Sequence, residues 1–440
     1  MRARFASHSR AGLFLFLAVY GACLAALLPV QSLWLDEILD LIGVRLPNFA
    51  ALLAYIPLNP GASPLGYIPQ FAAVHLLGFT AYSARLPSAV WSLAACAGVF
   101  LLARRINLQR PLAAVAIFAL FPLQLRYALE VRPYELALAL GIWATVAFLR
   151  VVDRPESLPR AALYALAMAA ALYTFPFTLF VAIAHLAWAC ATRRWRALVI
   201  ASVAVAVAGL AFAPWYLRYA AQWRESVVAA QLKDSIGLRA VPMILREIPG
   251  AGYIGTALLL IGVIVGLAKT RDRLLWALYA ILPIFCVVAA DASFGYLLAV
   301  RQMIVVLAPL ALLFAAGLET LSQRAAVALG AALALTLLVA DVNSFRRPRE
   351  NWAAAAALLS AEPCVVYAPG NSRPLYAFFV PDLAMRDCVP STATRVALAI
   401  SPYAVMNPVA DLQRQLTAAG FRKRAELNPV TPRIEIYGKP

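Results

Sequence analysis

Ala197-Leu198-Val199-Ile200-Ala201-Ser202-Val203-Ala204-Val205-Ala206-Val207-Ala208-Gly209-Leu210-Ala211-Phe212-Ala213-Pro214-Trp215-Tyr216-Leu217 carries no charged side chain, and Arg193, Arg194 and Arg196 stand just before it. A helix rises about 1.5 Å per residue, so roughly twenty apolar residues reach across the ~30 Å hydrocarbon core of a bilayer. In lipid the backbone must satisfy its own polar groups, which a helix does and a loop does not. The run therefore reads as a membrane-spanning helix with a basic anchor at one end. Working outward, similar runs lie near residues 11–31, 84–103, 111–125, 133–151, 161–173, 176–191, 251–268, 274–290, 302–318 and 325–341, about eleven crossings in all. The fifth and sixth are short and join through Tyr173-Thr174-Phe175-Pro176, where one broken hairpin is the alternative.

Composition points the same way. Hydrophobic residues make up 63% of the 440 and charged residues 13%, against about a quarter charged in a soluble domain. Mean hydropathy is +0.79. The net charge of +17 invites a nucleic-acid reading, yet the basic residues form short clusters between apolar runs. A nucleic-acid binder needs them on a soluble face among aromatics, so no nucleic acid is expected. Arg2, Arg4 and Arg10 followed by Ala11 to Val30 resemble a signal peptide, but the stretch is long and has no clear small-x-small cleavage site. An uncleaved first helix is expected. A lipoprotein site at Cys23 lacks the leucine it would need at its first position.

Orientation turns on the segment from Pro64 to Phe79, sixteen residues that include Pro64, Pro69 and His75. If it does not cross, the inside segments carry sixteen basic residues against four acidic ones, the bias expected of cytoplasmic loops. The N-terminus is then cytoplasmic, and residues 32–83 form one long outer loop with an interfacial helix or two. The fold class expected is an all-α polytopic membrane module over residues 1–341 with a small α/β domain over 342–440 on the periplasmic side of the inner (plasma) membrane. In that domain Cys364 to Tyr367, Val396 to Ile400 and Arg433 to Tyr437 read as strands, and Asn407 to Ala419 reads as a helix. Cys364 and Cys388 both fall there, where an oxidising envelope permits a disulfide. Cys23, Cys96, Cys190 and Cys286 fall within crossings and read as packing residues.

Three charged groups are not needed for spanning. Leu33-Trp34-Leu35-Asp36-Glu37 follows the first crossing; Arg126-Tyr127-Ala128-Leu129-Glu130-Val131-Arg132-Pro133-Tyr134-Glu135 joins the third and fourth; Phe294-Gly295-Tyr296 with Arg301 opens the tenth. Taken singly they also suit a solvated helix start, a cap of ion pairs and a snorkelling arginine. The expected topology gathers all three on one side of the membrane. A polyprenyl-phosphate sugar presents its anomeric carbon at such an interface. A carboxylate there can take a proton from an attacking hydroxyl or amine, and arginines can stabilise the departing phosphate.

The first 350 residues resemble the membrane module of the GT-C glycosyltransferases, especially the family 39-like branch of protein O-mannosyltransferases and aminoarabinose lipid A transferases. The residues that carry the resemblance are Asp36-Glu37 after the first helix, Asn59-Pro60-Gly61-Ala62-Ser63-Pro64-Leu65, Arg85-Leu86-Pro87-Ser88-Ala89, the group Tyr127, Glu130, Arg132 and Tyr134, Pro214-Trp215, Arg301, and Asn351-Trp352. The resemblance implies an inverting transfer with Asp36 and Glu37 as the catalytic pair, Asp36 as general base and Glu37 positioning the acceptor or assisting. Glu130, Arg132, Tyr127, Tyr134, Arg85 and Arg301 would bind substrate, with Arg132 or Arg301 on the donor phosphate. The implied partners are a polyprenyl-phosphate sugar donor, a glycolipid, glycan or protein acceptor, and membrane lipids. The chain departs from the family at Ala62-Ser63-Pro64, where a double proline is usual, and at Thr174-Phe175-Pro176, where Thr-His-Tyr is usual.

Other chemistries find little support. His8, His75 and His185 are too scattered for a histidine metal site, and no phosphate-binding Gly-x-x-x-x-Gly-Lys-Ser/Thr occurs. No cofactor is required; a divalent cation held by Asp36 and Glu37 is compatible with the sequence. The competing readings are a transporter or lipid flippase, for which two matching halves are missing, and a scaffold, which would tolerate Asn at position 36.

Overall fold

The computed structural model describes residues 2–59, 61–229, 239–294, 298–347, 349–385, 388, 392–402, 406–427 and 431–440. The chain divides into two compact units, Met1–Leu28 with Val44–Ser344, and Pro29–Gly43 with Phe345–Pro440. Segment 29–43 thus groups with the C-terminal part, whereas the sequence assigned it to an outer loop of the 1–341 module. Within that unit Leu35 N–H donates to Glu350 Oε2 over 3.0 Å, across 315 positions.

In chain order the helices are α1 (Arg2–Leu27), α2 (Leu35–Val44), α3 (Phe49–Tyr55), α4 (Ile68–Leu77), α5 (Ala81–Arg105), α6 (Pro111–Ala119), α7 (Pro122–Ala128), α8 (Tyr134–Asp153), α9 (Leu158–Thr174), α10 (Leu179–Ala191), α11 (Trp195–Ala229), α12 (Ala240–Glu247), α13 (Gly252–Lys269), α14 (Arg273–Phe294), α15 (Leu307–Leu318), α16 (Gln323–Arg346), α17 (Trp352–Ser360), α18 (Arg373–Ala377) and α19 (Met406–Ala418). The strands are β1 (Val365–Ala368), β2 (Arg395–Ile400), β3 (Arg422–Leu427) and β4 (Arg433–Gly438).

Each apolar run of the sequence falls on helical structure. Among the described residues eight segments are long and apolar enough to cross a membrane: α1, α5, α8, α11, α13, α14, Val300–Leu318 and α16. The pair α6–α7 adds a ninth if taken as one bent span. The chain is therefore a multi-pass membrane protein, and these segments account for nine of the eleven expected crossings. The other two expected crossings fall on α9, 17 residues long, and on the shorter apolar stretch Pro176–Ala191. Between those two, Phe175 is extended ahead of Pro176, which separates them into distinct helices. The run near 111–125 is not one straight helix either, since α6 and α7 meet at 70°. Pro122 has no N–H to continue the ladder and holds Phe121 in extended backbone at ψ 123°. The segment from Pro64 to Phe79 yields only α4, ten residues, or about 15 Å of rise, half a bilayer core.

At the centre of the first unit, the 3-10 turn Val300–Val306 runs into α15, and both are almost wholly buried. α8 packs between α5 and α9, α9 against α11, and α10 against α14. The closest approach is α13 to α15: a Cβ at Gly266 would lie 1.9 Å from the Leu313 carbonyl oxygen, and one at Gly317 would lie 2.0 Å from that of Gly262. Small residues let two backbones meet where lipid offers no hydrophobic drive for association.

In the second unit the four strands form one sheet in the order β1-β2-β4-β3, with β1 parallel to β2 and the other pairs antiparallel. The expected α/β unit is present, with three of its strands and its helix where the sequence placed them. β3 was missed: Arg422 to Leu427 is an edge strand with every residue exposed but the last, so it shows no apolar alternation. Cys364 and Cys388 are joined in a disulfide, with Cα atoms 5.0 Å apart.

Candidate active site

The first unit places one group of expected site residues between the end of α7 and the start of α8. Arg126 Nε donates to Glu130 Oε1 at 2.9 Å. Glu130 is fully buried, and its backbone carbonyl accepts from Ser88 Oγ of α5 at 2.7 Å. The rings of Tyr127 and Tyr134 meet edge to face at 4.7 Å, and Tyr134 meets Phe175 at 5.2 Å. Arg132 lies over the Tyr134 ring at 5.3 Å and donates from Nη2 to its hydroxyl at 3.1 Å. Arg301, one residue into the Val300–Val306 turn, approaches the same ring at 5.8 Å. Two guanidiniums share one aromatic ring. Guanidinium groups form charge-assisted hydrogen bonds with anions and suit phosphate oxygens in shape.

The proline-rich stretch closes on this group. A Cβ at Gly66 would lie 2.8 Å from Pro133 Cβ and 3.5 Å from the Thr174 carbonyl oxygen. The Pro64–Gly66 turn and the end of α9 therefore abut the loop that carries Arg132. Trp215 and Trp223, eight positions apart on α11, hold the preceding stretch by donating to Ala62 O at 3.2 Å and Pro57 O at 2.9 Å. Arg85 is buried in α5 and donates to the Leu28 carbonyl at 2.8 Å, past the end of α1. There a cation suits the negative end of the helix.

The second unit holds the carboxylate pair. Asp36 and Glu37 fill the first turn of α2, where negative charge favours the helix N-terminus. Glu37 is fully buried; its Oε2 accepts from Trp34 N–H at 3.4 Å and stands 4.0 Å from Arg349 Nη1. Its position, third in the helix and reaching back to the residue before it, is half of a capping box. Glu350 Oε2 takes the Leu35 N–H and also the Trp352 indole N–H at 2.6 Å. Asn351 accepts from Ala354 N–H at 3.0 Å and so caps α17. Asp36 is partly exposed, so the two adjacent acids have separate surroundings.

Arg349 and Glu350 escaped sequence reasoning, although Arg346-Arg347-Pro348-Arg349-Glu350 stands out directly after the last apolar run. Asp291, fully buried near the end of α14, was also passed over. Of the third charged group, Arg301 is placed, whereas Gly295, Tyr296 and the Phe294 side chain lie outside the described residues, as does Pro60. Among the described residues no three His, Cys, Asp or Glu side chains come together as a metal-holding group.

The family described as dolichyl-phosphate-mannose-protein mannosyltransferase matches residues 63–217. That span holds Arg85, Tyr127, Glu130, Arg132 and Tyr134. No curated protein matches the chain by sequence. Among solved structures, ArnT from Cupriavidus metallidurans in the apo state is similar over 98% of this chain and 98% of its own, with a TM-score of 0.64 and 12% identity. The chain has the GT-C fold. The resemblance drawn from the residues points to the same group of proteins as these matches, which are with a mannosyltransferase family over residues 63–217 and with ArnT in fold. The same ArnT bound to undecaprenyl phosphate gives a TM-score of 0.62 at 13% identity, covering 97% of this GT-C chain and 98% of that one. The archaeal oligosaccharyltransferase AglB from Archaeoglobus fulgidus, in complex with an inhibitory peptide and a dolichol-phosphate, gives 0.59 at 12% identity over 99% of this chain and 75% of its own.

Proposed function

We propose that the chain is a membrane glycosyltransferase whose donor is a sugar carried on a polyprenyl phosphate, and that it acts on the periplasmic face. The observation that carries this reading is the pairing of Arg132 and Arg301 over the Tyr134 ring, at 5.3 and 5.8 Å, on a fold shared with proteins solved with undecaprenyl phosphate and dolichol-phosphate. Guanidinium forks match phosphate oxygens in shape and charge.

In the proposed reaction an acceptor hydroxyl or amine attacks the anomeric carbon from the face opposite the phosphate. The new bond forms as the bond from the anomeric carbon to the phosphate oxygen breaks, and the configuration inverts. Asp36 takes the acceptor proton. The electron pair leaves with the polyprenyl phosphate, whose growing charge Arg132 and Arg301 stabilise. Glu37, committed to Trp34 N–H and near Arg349, positions the turn that presents Asp36. A glycolipid, glycan or protein can serve as acceptor.

The test is transfer from a panel of radiolabelled polyprenyl-phosphate sugars to envelope acceptors by purified protein in lipid, with and without divalent cations. Wild type is compared with Asp36→Asn, and the variant is expected to lose at least about a hundredfold in kcat, the usual worth of a general base. Equal transfer by both would remove Asp36 from the mechanism. No transfer by either, beside a working control enzyme, would put transport or lipid flipping in place of this function.

A further inference from the structure

The stretch that carries the arginine and tyrosine group begins and ends at two side chains bonded to each other. Gln124 Nε2 donates to Glu135 Oε1 at 3.0 Å, across eleven positions. Between them lie Arg126, Tyr127, Glu130, Arg132 and Tyr134, so one hydrogen bond closes the span holding most of the candidate donor site.

Gln124 is itself fixed from two further helices. Its Nε2 also donates to Ser92 Oγ of α5 at 2.7 Å, and its Oε1 accepts from Tyr20 Oη of α1 at 3.0 Å. Ser92 Oγ in turn donates to Tyr20 Oη at 3.3 Å. The three bonds close a ring, from Tyr20 to Gln124, Gln124 to Ser92 and Ser92 to Tyr20. Each hydroxyl has one proton and uses it once, which leaves the second amide proton of Gln124 for Glu135.

Gln124, Ser92 and Glu135 are fully buried, and Glu135 Oε2 has no hydrogen-bond partner among the described residues. A carboxyl group inside a membrane bundle costs free energy that a leucine would not. Packing α7 against α8 does not call for it. We propose that Gln124 and Glu135 are positioning residues whose bond is a clasp. It closes the 124–135 span and holds Arg126, Arg132 and the tyrosine pair in register for the donor phosphate. The phosphate half of this proposal rests on the glycosyl-transfer reading; the clasp does not.

The experiment compares full-length wild type, Glu135→Gln and Glu135→Leu in nanodiscs by backbone hydrogen exchange over residues 126–134. Binding of a short-chain polyprenyl phosphate and steady-state transfer are measured on the same samples. Gln keeps an acceptor oxygen, so Glu135→Gln should stay within about twofold of wild type in all three. Glu135→Leu should exchange about tenfold faster over the span and raise Kd and donor KM about tenfold, with kcat nearly unchanged, as for one lost buried hydrogen bond. Gln124→Met breaks the same bond from the other side, together with those to Ser92 and Tyr20, and should exchange over the span at least as fast as Glu135→Leu, which guards against misfolding of either variant alone. Unchanged exchange in both Leu and Met variants would overturn the clasp. Faster exchange with unchanged Kd would overturn its link to the phosphate. Failure of wild type to bind polyprenyl phosphate would overturn the donor reading and the phosphate half with it, while exchange still decides the clasp.

Discussion

Glu37 turns its carboxylate back onto the Trp34 N–H and toward Arg349, while Asp36, one position earlier, remains partly exposed. Removing the buried partner leaves polar atoms unsatisfied, at a cost of about 1–3 kcal/mol. Glu37→Ala should therefore lower the thermal midpoint of the purified protein, measured by intrinsic fluorescence, while Glu37→Gln, which keeps an acceptor for Trp34, should lower it less. Both acids stood out in the sequence because a charge is rare in so apolar a chain. Arg349, beside Glu37, and Glu350, bonded to the Leu35 N–H, did not, because they are more than three hundred positions away and only the fold brings them near. In the C-terminal sheet, burial alone would raise the Glu435 carboxyl. Hydrogen bonds from Lys423, Gln413 and Tyr437 outweigh it, and the net shift is downward. A carboxyl lowered on folding contributes stability above its unfolded pKa of about 4.3 and loses it as pH falls through the folded value. Melting of the full chain between pH 3 and 7 should show an acid limb below about pH 4 that Glu435→Gln flattens; an unchanged limb would exclude Glu435 as its source.

Helices and strands were legible to different degrees. The apolar runs located the long helices well because one property, length without charge, decides whether a segment can span. Breaks were harder: the 70° bend between α6 and α7 follows from Phe121-Pro122, yet a proline inside α5, at Pro87, leaves that helix continuous. Neighbouring helices decide which prolines bend, and no window of sequence contains them. The same holds for α13 and α15, whose glycines are spaced for close packing although their pairing is tertiary. An added methyl at Gly266 would meet the Leu313 carbonyl oxygen at 1.9 Å. Since backbone cannot yield as a flexible side chain does, Gly266→Ala should destabilise by about 1–3 kcal/mol. A thermal midpoint equal to wild type would show that the two helices can separate without loss.

For the whole molecule, the number of crossings sets which side each terminus occupies. Eleven or nine crossings put the termini on opposite sides and eight put them on the same side, so parity separates the countings. If the N-terminus lies inside, as the Lys/Arg bias leads us to expect, and the number of crossings is odd, a C-terminal phosphatase fusion should be active and a fluorescent-protein fusion dark in a Gram-negative host. The Cys364–Cys388 disulfide is consistent with a C-terminal sheet facing an oxidising compartment. The opposite pattern of reporters would return the terminus to the cytoplasm and remove the catalytic face proposed for Asp36. The bond from Leu35 to Glu350, 315 positions apart, bears on how the molecule is made. At about 5–20 residues per second a ribosome needs roughly 15–60 s to cover that distance. Throughout that interval the Asp36 turn exists without the residues that finish it. A nascent or prematurely terminated chain can insert most of its helices and still lack a completed α2 start. Assembly of that turn is thus a late event in biogenesis, which delays its completion until synthesis has passed Glu350.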